Sequence, residues 1–466
     1  MLFNSFLFVA FFAGVLLLTV CLPPRRRNLF LLIASCVFYA SWSWKLLGLL
    51  WLSTLIDWLA GLAIGRSDVR HVRRAWLAAS VILNLAILGF FKYWNFFVDS
   101  LDALLSVFGA SVDGLHLGLV LPLGISFYTL QSLGYTIDVY RRHQEPVESP
   151  LDFALFVGFF PQLVAGPIER APRLMPQIES RRRIDARVLR EGAVLAGWGY
   201  FKKTVIADNL ARIVDPVYAR GADPSGPEIV IATLGFTLLA YADFSGYTDI
   251  ARGTARMLGF DLVRNFDTPY LSRDMGEFWR RWHVSLSTWL RDYLFLSLGG
   301  GRVGALRLTV NLWLTLFVAG LWHGADGSFV LFGVFHGTLV AGTYWYRRWR
   351  PVRPGTTGVA GIVGTFLTFA FTMVAFRADD GAHTLALYGS MLSGWAWQPE
   401  LLGSMVAVGL AAIPLFGADL LQRRAGHDLY VLGWPWPARV AVYLAVFYGI
   451  VFFGRAEGYD FLYFQF

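Results

Sequence analysis

Long apolar blocks recur from one end of this chain to the other, and short connections rich in arginine separate them. A helix needs about 20 mostly apolar residues to cross the hydrocarbon of a bilayer, at roughly 1.5 Å rise per residue. The pattern therefore predicts an all-α polytopic membrane protein with about 11–12 transmembrane helices. The predicted spans are Phe3–Leu22, Asn28–Trp44, Leu46–Gly65, Ala75–Phe91, Leu117–Ile137, Glu191–Ala207, Ile229–Tyr247, Leu306–Trp322, Phe329–Tyr346, Ala360–Phe376, Leu402–Leu421 and Val440–Phe453.

Several segments interrupt this pattern. Lys202 and Lys203 interrupt the apolar pattern of the sixth predicted span, so it is the weakest of the twelve. Leu121–Tyr128 places proline and glycine in the fifth span, where they form either a packing kink or a cavity wall. The run Phe153–Val164 is too short to span, so it predicts a re-entrant or interfacial helix that Pro161, Gly166 and Pro167 would break. Non-helical backbone survives at membrane depth only beside protein or a water-filled cavity. Such pieces together predict a funnel that opens to the cytoplasm.

Composition supports a single transmembrane domain over residues 1–466. Hydrophobic residues make up 56% of the chain, and no low-complexity linker divides it. The net charge of +8 arises in the connections, where it signals topology rather than nucleic-acid binding. Its alternation predicts an N-terminus on the outer side and arginine-rich loops in the cytoplasm. Cys21 and Cys36 lie in apolar runs, so neither a disulfide framework nor a thiolate metal site is expected.

Candidate chemistry concentrates between residues 274 and 326. Asp274 and Glu277 are spaced as a helix N-cap and its third residue, so a helix should begin there. A helix continuing to residue 289 would place Trp279 and His283 one turn apart, with Trp282 on a neighbouring apolar face. Arg280 and Arg281 keep this helix at the interface or in a protein-lined cavity, because arginine is costly in hydrocarbon.

A second histidine should lie close to this helix. Leu306–Trp322 reads as a spanning helix that carries His323 near its far end. A neutral imidazole can accept a proton at physiological pH, so His323 is a candidate general base, and His283 is a candidate site residue that orients an acceptor or polarises a carbonyl. His336 is interpreted as a core histidine, and its spacing from His323 matches no local zinc-ligand pattern.

Two aspartates follow the seventh apolar block. A carboxylate at the depth of Asp243 is costly unless it is paired, so Asp243 is either a site residue or a paired structural one. Asp249 is expected at the interface near Arg252. Tyr247 lies between them and joins the candidate site.

Several motifs carry a resemblance that extends over essentially the whole chain. They are Phe91–Phe96, Leu121–Arg141, Phe160–Ile168, Asp243–Tyr247, Phe278–Leu290, Leu321–Gly324 and Tyr463–Phe466. Their order and residues resemble the membrane-bound O-acyltransferase family, in particular its bacterial alginate O-acetyltransferase branch. The resemblance implies a ring of tilted helices around a central tunnel, and it places His323 at the family's essential histidine and His283 at its second polar position.

The resemblance also implies a reaction. Acetyl-CoA, as a cytoplasmic donor rather than a tightly bound cofactor, would supply an acetyl group for an exopolysaccharide outside the bacterial inner membrane. Two interpretations stay open for Arg280 and Arg281: they hold the donor's phosphates, or they only follow the arginine bias of cytoplasmic loops. Residues expected to line the donor passage are Trp279, Trp282, Trp322, Asp243 and Tyr247. A periplasmic partner, such as an SGNH-type acetyltransferase, would complete O-acetylation. No metal is expected.

Two other functions stay open at this point. A D-alanyl transferase of the same fold would take its acyl group from a carrier protein. A transporter could also contain intramembrane aspartate and histidine, although the inverted repeats with broken helices typical of transporters are not evident in the sequence.

Overall fold

The computed structural model describes residues 1–111, 114–164, 166–220, 224–350, 358–395, 398–455 and 462. Within these ranges all regular secondary structure is helical, as the apolar pattern predicts. Eight of the helices are long and apolar enough to cross a membrane, so the chain is a multi-pass membrane protein. Ala165 and Tyr463–Phe466, which belong to the sequence motifs, lie outside the described residues.

One compact unit comprises residues 1–2, 7–188 and 254–263. Its helices are α1 (Phe6–Cys21), α2 (Pro24–Gly65), α3 (Arg70–Leu88), α4 (Trp94–Ser106), α5 (Ile125–Tyr140), α6 (Pro150–Gly158), α7 (Phe160–Leu163) and α8 (Ala171–Glu179). A π-helical turn, Gly89–Tyr93, joins α3 to α4.

Buried polar groups hold α2 against α3 within this unit. Asp57 is fully buried, and its carboxylate accepts a hydrogen bond from the Ser80 hydroxyl at 2.5 Å. The Asn84 amide donates to both oxygens of the same carboxylate, at 2.9 and 3.0 Å. These neutral donors replace water around a carboxylate that would otherwise be costly at this depth.

The second compact unit comprises residues 3–6, 189–253 and 264–466. Its helices are α9 (Ala186–Tyr200), α10 (Asp208–Tyr218), α11 (Gly226–Met257), α12 (Met275–Arg281), α13 (Val284–Trp289), α14 (Ala305–His323), α15 (Gly327–Trp349), α16 (Gly358–Arg377), α17 (Gly381–Ser393), α18 (Leu401–Ala425) and α19 (Trp436–Phe453). Phe201–Ala207 and Leu290–Phe295 are π-helical, and Pro269–Leu271 and Tyr430–Gly433 form 3₁₀ turns.

The eight candidate spans are fewer than the predicted 11–12 for identifiable reasons. α2 has 42 residues and contains two predicted spans, with non-helical backbone at Ser43 (φ −157°, ψ 111°). The fifth predicted span is helical only from Ile125, because Gly124 has a φ of 72°. A Cβ at Gly124 would lie 2.2 Å from the Leu163 carbonyl oxygen, so only glycine fits there.

The sixth predicted span is also not a simple apolar helix. α9 passes into the π-helical segment Phe201–Ala207, where both lysines are buried. The short apolar run at 153–164 is helical as predicted, but it breaks at Phe159 (φ −57°, ψ 111°) rather than at Pro161. Pro161 instead occupies the first turn of α7, where its missing N–H is not needed.

Candidate active site

The sequence predicts one helix through residues 274–289, and the structure divides it in two. Asp274 Oδ1 accepts from the Glu277 N–H at 2.9 Å, so α12 begins with the predicted cap. α12 ends at Arg281, because Trp282 is extended (φ −96°, ψ 130°) and His283 has a φ of 44°. The predicted helical spacing of Trp279 and His283 is therefore wrong. A non-glycine residue at positive φ costs about 1–3 kcal/mol, so the surrounding contacts must hold His283 there.

His283 caps the following helix with its own ring. Its Nδ1 accepts from the Leu286 N–H at 3.2 Å, which starts α13. The ring is completely buried, and this burial lowers the pKa of His283 from 6.5 to about 3. A neutral imidazole whose Nδ1 accepts carries its proton on Nε2. At physiological pH His283 is thus a hydrogen-bond donor through Nε2 and not a base.

His323 ends α14 beside α15. A Cβ on Gly320 would lie 2.5 Å from the Phe329 carbonyl oxygen and 2.7 Å from the Gly333 Cα, so the two helices approach closely here. His323 is 3% exposed, and its ring lies 5.2 Å from Phe376 between centroids. The two small residues therefore set the depth and direction of the histidine.

One tryptophan ring, that of Trp322, contacts the rings of both candidate histidines. The Trp322 ring is 5.0 Å from His323 and 5.6 Å from His283 between centroids, edge-on to both. His283 also lies 4.7 Å from the ring of Phe244 on α11. His283, Trp322 and His323, here called the histidine cluster, come from segments about 40 positions apart in sequence, which only the tertiary fold brings together.

The other two candidate tryptophans lie in a neighbouring aromatic layer. Trp282 stacks on Phe278 at 5.5 Å and contacts Phe369 at 5.1 Å. Trp279 Nε1 donates to His336 Nδ1 at 3.3 Å, and His336 Nε2 lies 3.0 Å from the Thr372 hydroxyl. Both ring nitrogens of this fully buried histidine are therefore engaged, which confirms His336 as a core residue.

The two candidate arginines differ in their surroundings. Arg281 pairs with Glu277 at 3.0 Å and donates to the Asp267 carbonyl oxygen at 3.0 Å. Arg280 is exposed to solvent. The guanidinium of Arg281 therefore ties α12 to the loop before it, whereas that of Arg280 is accessible to a ligand.

Asp243 is paired, as a carboxylate at its depth must be. It lies 2.7 Å from Lys203 Nζ, and it accepts the Leu462 N–H at 2.9 Å. Lys203 also lies 2.9 Å from Asp208 and 5.4 Å from the centre of the Tyr247 ring. Burial alone would lower the pKa of Lys203, but the two carboxylates outweigh it and hold the pKa above its usual value.

Sequence reasoning treated the two lysines only as interruptions of a span. Lys202 Nζ lies 2.7 Å from Asp249, which also meets Arg252 at 3.3 Å as expected. The signal that could have found this arrangement is the pair of acids six residues apart on one helix, because each buried carboxylate requires a cation.

A cavity of about 440 Å³ lies between α9, α11, α18 and α19. Tyr241, Ser245, Asp249 and Arg252 of α11 form its polar wall, and neither histidine of the cluster lines it. Phe266 does line it, and the Phe266 ring packs on Phe244 at 5.0 Å. A smaller cavity of about 20 Å³ lies beside Lys203 and Asp243. Different faces of α11 therefore contact the histidine cluster, the Lys203 ion pairs and the large cavity.

One family model matches this chain, and three known acyltransferases are similar to it. The model of the membrane-bound O-acyltransferase family matches residues 141–378. A probable alginate O-acetylase AlgI of Azotobacter vinelandii is 41% identical over 84% of this chain and 77% of its own length. A peptidoglycan O-acetyltransferase of Helicobacter pylori is 36% identical over 83% of this chain and 78% of its own length. A teichoic acid D-alanyltransferase of Streptococcus thermophilus is 30% identical over 62% of this chain and 76% of its own length.

Proposed function

Because this chain belongs to the membrane-bound O-acyltransferase family and is thus an O-acyltransferase, we propose that it transfers acetyl groups for polysaccharide O-acetylation. The donor is acetyl-CoA on the cytoplasmic side, and the acetyl group leaves on the outer side of the bacterial inner membrane. The acceptor class is an exopolysaccharide such as alginate, which the name of the Azotobacter relative supports. All of residues 1–466 act as one catalytic domain, with the N-terminus in the periplasm.

The histidine cluster is the observation that carries this proposal. His323 acts as the general base that removes the proton from an acceptor hydroxyl as its oxygen attacks the thioester carbonyl carbon. The neutral His283, which carries its proton on Nε2, donates a hydrogen bond to the oxyanion that forms. The carbon–sulfur bond then breaks, and the thiolate of CoA takes the proton from His323.

The remaining candidates position the donor. Trp322 separates the two histidines by one ring and forms a wall of the passage, with Trp279 and Trp282 behind it. Arg280 contacts the phosphates of CoA, since its guanidinium is exposed. Asp243 and Tyr247 act through Lys203, which fixes the part of α11 that presents Phe244 to His283.

A partner completes the reaction outside the membrane. A polysaccharide chain is too large to reach a buried histidine, so the first acceptor hydroxyl belongs to a smaller carrier or to a partner protein. A periplasmic SGNH-type acetyltransferase supplies the chemistry for the second transfer, because its serine can accept and release an acetyl group.

The test is acetyl transfer by purified protein in proteoliposomes supplied with radiolabelled acetyl-CoA. His323→Ala is expected to lower the rate about 100- to 10,000-fold, the usual contribution of a general base, while the protein stays inserted and folded. His427→Ala, at an exposed loop histidine, is the matched control. Transfer by His323→Ala at the wild-type rate would overturn the mechanism.

D-alanyl transfer is the second candidate, and the Streptococcus relative favours it. The donor would then be a D-alanyl thioester on a carrier protein. In the same proteoliposomes acetyl-CoA would give no product, whereas the loaded carrier protein would. Product from acetyl-CoA alone excludes this candidate.

A further inference from the structure

The large cavity has a polar wall and an apolar wall that face each other. Tyr241, Ser245, Asp249 and Arg252 follow one stripe of α11, over about 16 Å of helix. Apolar residues of α18 and α19 line the opposite side: Leu415, Val442, Val446, Phe447 and Ile450. α18 also contributes the polar residues Asp419 and Gln422 to the lining. A ligand that fills this space must be elongated and amphipathic, with its polar groups along α11.

The apolar wall is bounded by helices that face the membrane. α19 has no buried residue, although it is apolar enough to span. On α18, Leu410 and Ile413 are 62% and 67% exposed. A cavity closed on this side only by two lipid-facing helices is within reach of bilayer lipid.

The polar wall carries charges that suit a phosphate. Arg190, Lys202, Arg252 and Arg264 line the cavity, against the three carboxyl groups of Asp249, Asp419 and Asp428. With all seven groups ionised, the lining has one positive charge in excess. Its cations also form ion pairs: Lys202 with Asp249, Arg252 with Asp428 and Arg264 with Asp267, at 2.7, 2.7 and 2.9 Å. A phosphate bound here would share these cations with the carboxylates. Arg190 and Arg252, at the predicted cytoplasmic ends of α9 and α11, are placed where a phosphate of the inner leaflet lies.

One acceptor inside the cavity suits a ligand with a hydrogen-bond donor. Asp419 is 6% exposed, and the Tyr241 hydroxyl donates to its Oδ1 at 2.8 Å. No donor reaches its other oxygen, Oδ2, from the part of the chain that the structure describes. A buried carboxylate oxygen without a donor costs about 1–3 kcal/mol or more, which a ligand hydroxyl would recover.

The position of the cavity argues against a reacting substrate. A donor thioester must reach the histidine cluster, and the rings of Phe244 and Phe266 stand between the cavity lining and His283. A molecule bound in this cavity can therefore stabilise α11 without taking part in acetyl transfer.

We propose that this cavity binds one phospholipid of the cytoplasmic leaflet with a hydroxyl-bearing anionic headgroup, of the phosphatidylglycerol class. The phosphate lies between Lys202, Arg252 and Arg264, a headgroup hydroxyl donates to Asp419 Oδ2, and one acyl chain follows α19. Acyl chains gain little on leaving bilayer for another apolar surface, so the polar end supplies the selectivity.

Native mass spectrometry of the detergent-purified chain tests this, with phosphatidylglycerol, phosphatidylcholine and acetyl-CoA added separately. Val446→Trp fills the cavity from its apolar wall, and Ala445→Trp, one position along and exposed, is the matched control. We expect one phosphatidylglycerol per chain, with affinity at least about tenfold weaker in Val446→Trp and unchanged in Ala445→Trp, because the indole at position 446 occupies space that the bound lipid needs.

The headgroup contact has its own variant. Asp419→Asn keeps the volume but loses the charged acceptor, so the preference for phosphatidylglycerol over phosphatidylcholine, which has no headgroup donor, should fall. Equal phosphatidylglycerol binding by wild type and Val446→Trp would overturn the proposal. Loss of acetyl-CoA binding in Val446→Trp, with lipid binding intact, would overturn it and assign the cavity to the donor. Neither measurement requires turnover, so both stay independent of the proposed acetyl transfer.

Discussion

Two sides of α11 differ in chemistry: one contacts aromatic rings and the other contains ion-paired aspartates. Phe244 packs against His283, and His283 packs against Trp322, with ring centroids 4.7 and 5.6 Å apart. Asp243 and Asp249 on the other faces are paired with Lys203 and Lys202. The two sides therefore differ in role: burial on the aromatic side keeps His283 neutral as a hydrogen-bond donor, and the charged side fixes the helix and offers a binding surface.

Removing the cation from the charged side should have the largest effect on stability. Lys203→Met leaves Asp243 and Asp208 buried without their partner, which should lower the free energy of unfolding by about 3–5 kcal/mol. Thermal unfolding in detergent measures this. Lys202→Met is the matched control and should cost less, because Asp249 keeps Arg252. Equal losses in both variants would show that the two lysines are not distinguished by their surroundings.

The aromatic side contains a histidine that should affect stability but not chemistry. His336→Leu leaves the Trp279 N–H buried without an acceptor, at a cost of about 1–3 kcal/mol in unfolding free energy. His336→Asn places an oxygen near the position of Nδ1 and should recover part of this loss. Acetyl transfer per folded molecule should stay near the wild-type rate in both. A folded but inactive His336→Leu would mean that this residue belongs with the histidine cluster.

Burial of His283 makes stability depend on pH. Its folded pKa of about 3 lies below the ordinary 6.5, so the unfolded chain binds more protons between these values. Stability is therefore lost as pH falls through this window, by at most about 1.4 kcal/mol per pH unit. His283→Asn keeps an acceptor for the Leu286 N–H and tolerates positive φ, so it should remove this contribution. Unfolding curves between pH 6.5 and 4 that are unchanged by the substitution would contradict a neutral buried ring.

The smallest effect on stability is expected at the exposed edge of the aromatic side. Arg280→Gln should leave unfolding within about 0.5 kcal/mol of wild type, as for an ordinary surface position. If this guanidinium holds donor phosphate, KM for acetyl-CoA should rise about tenfold, the effect of one charge-assisted hydrogen bond. Arg281→Gln, which breaks the pairing with Glu277, should instead lower stability. An unchanged KM in Arg280→Gln would place the phosphates elsewhere.

Apolar periodicity and the free-energy cost of burying charge in a membrane predict much of this structure. The apolar runs gave an all-helical, multi-pass protein, and the spacing of Asp274 and Glu277 gave the start of α12. Both follow from local rules, since a span needs length and a cap needs a side chain three residues away. Because a carboxylate deep in a membrane must be paired, the sequence predicts that Asp243 has a partner. It does not identify that partner as Lys203.

Only the tertiary structure decided the break at His283 and the identity of the buried pairs. Helical spacing favours a continuous helix through 289, and the positive φ of His283 arises from its capping bond and its ring contacts. Lys203 reaches Asp243 from another helix, 40 positions away in sequence. Sequence fixes which groups are too costly to leave alone in a membrane, whereas their partners are chosen by packing between distant segments, which no local pattern encodes.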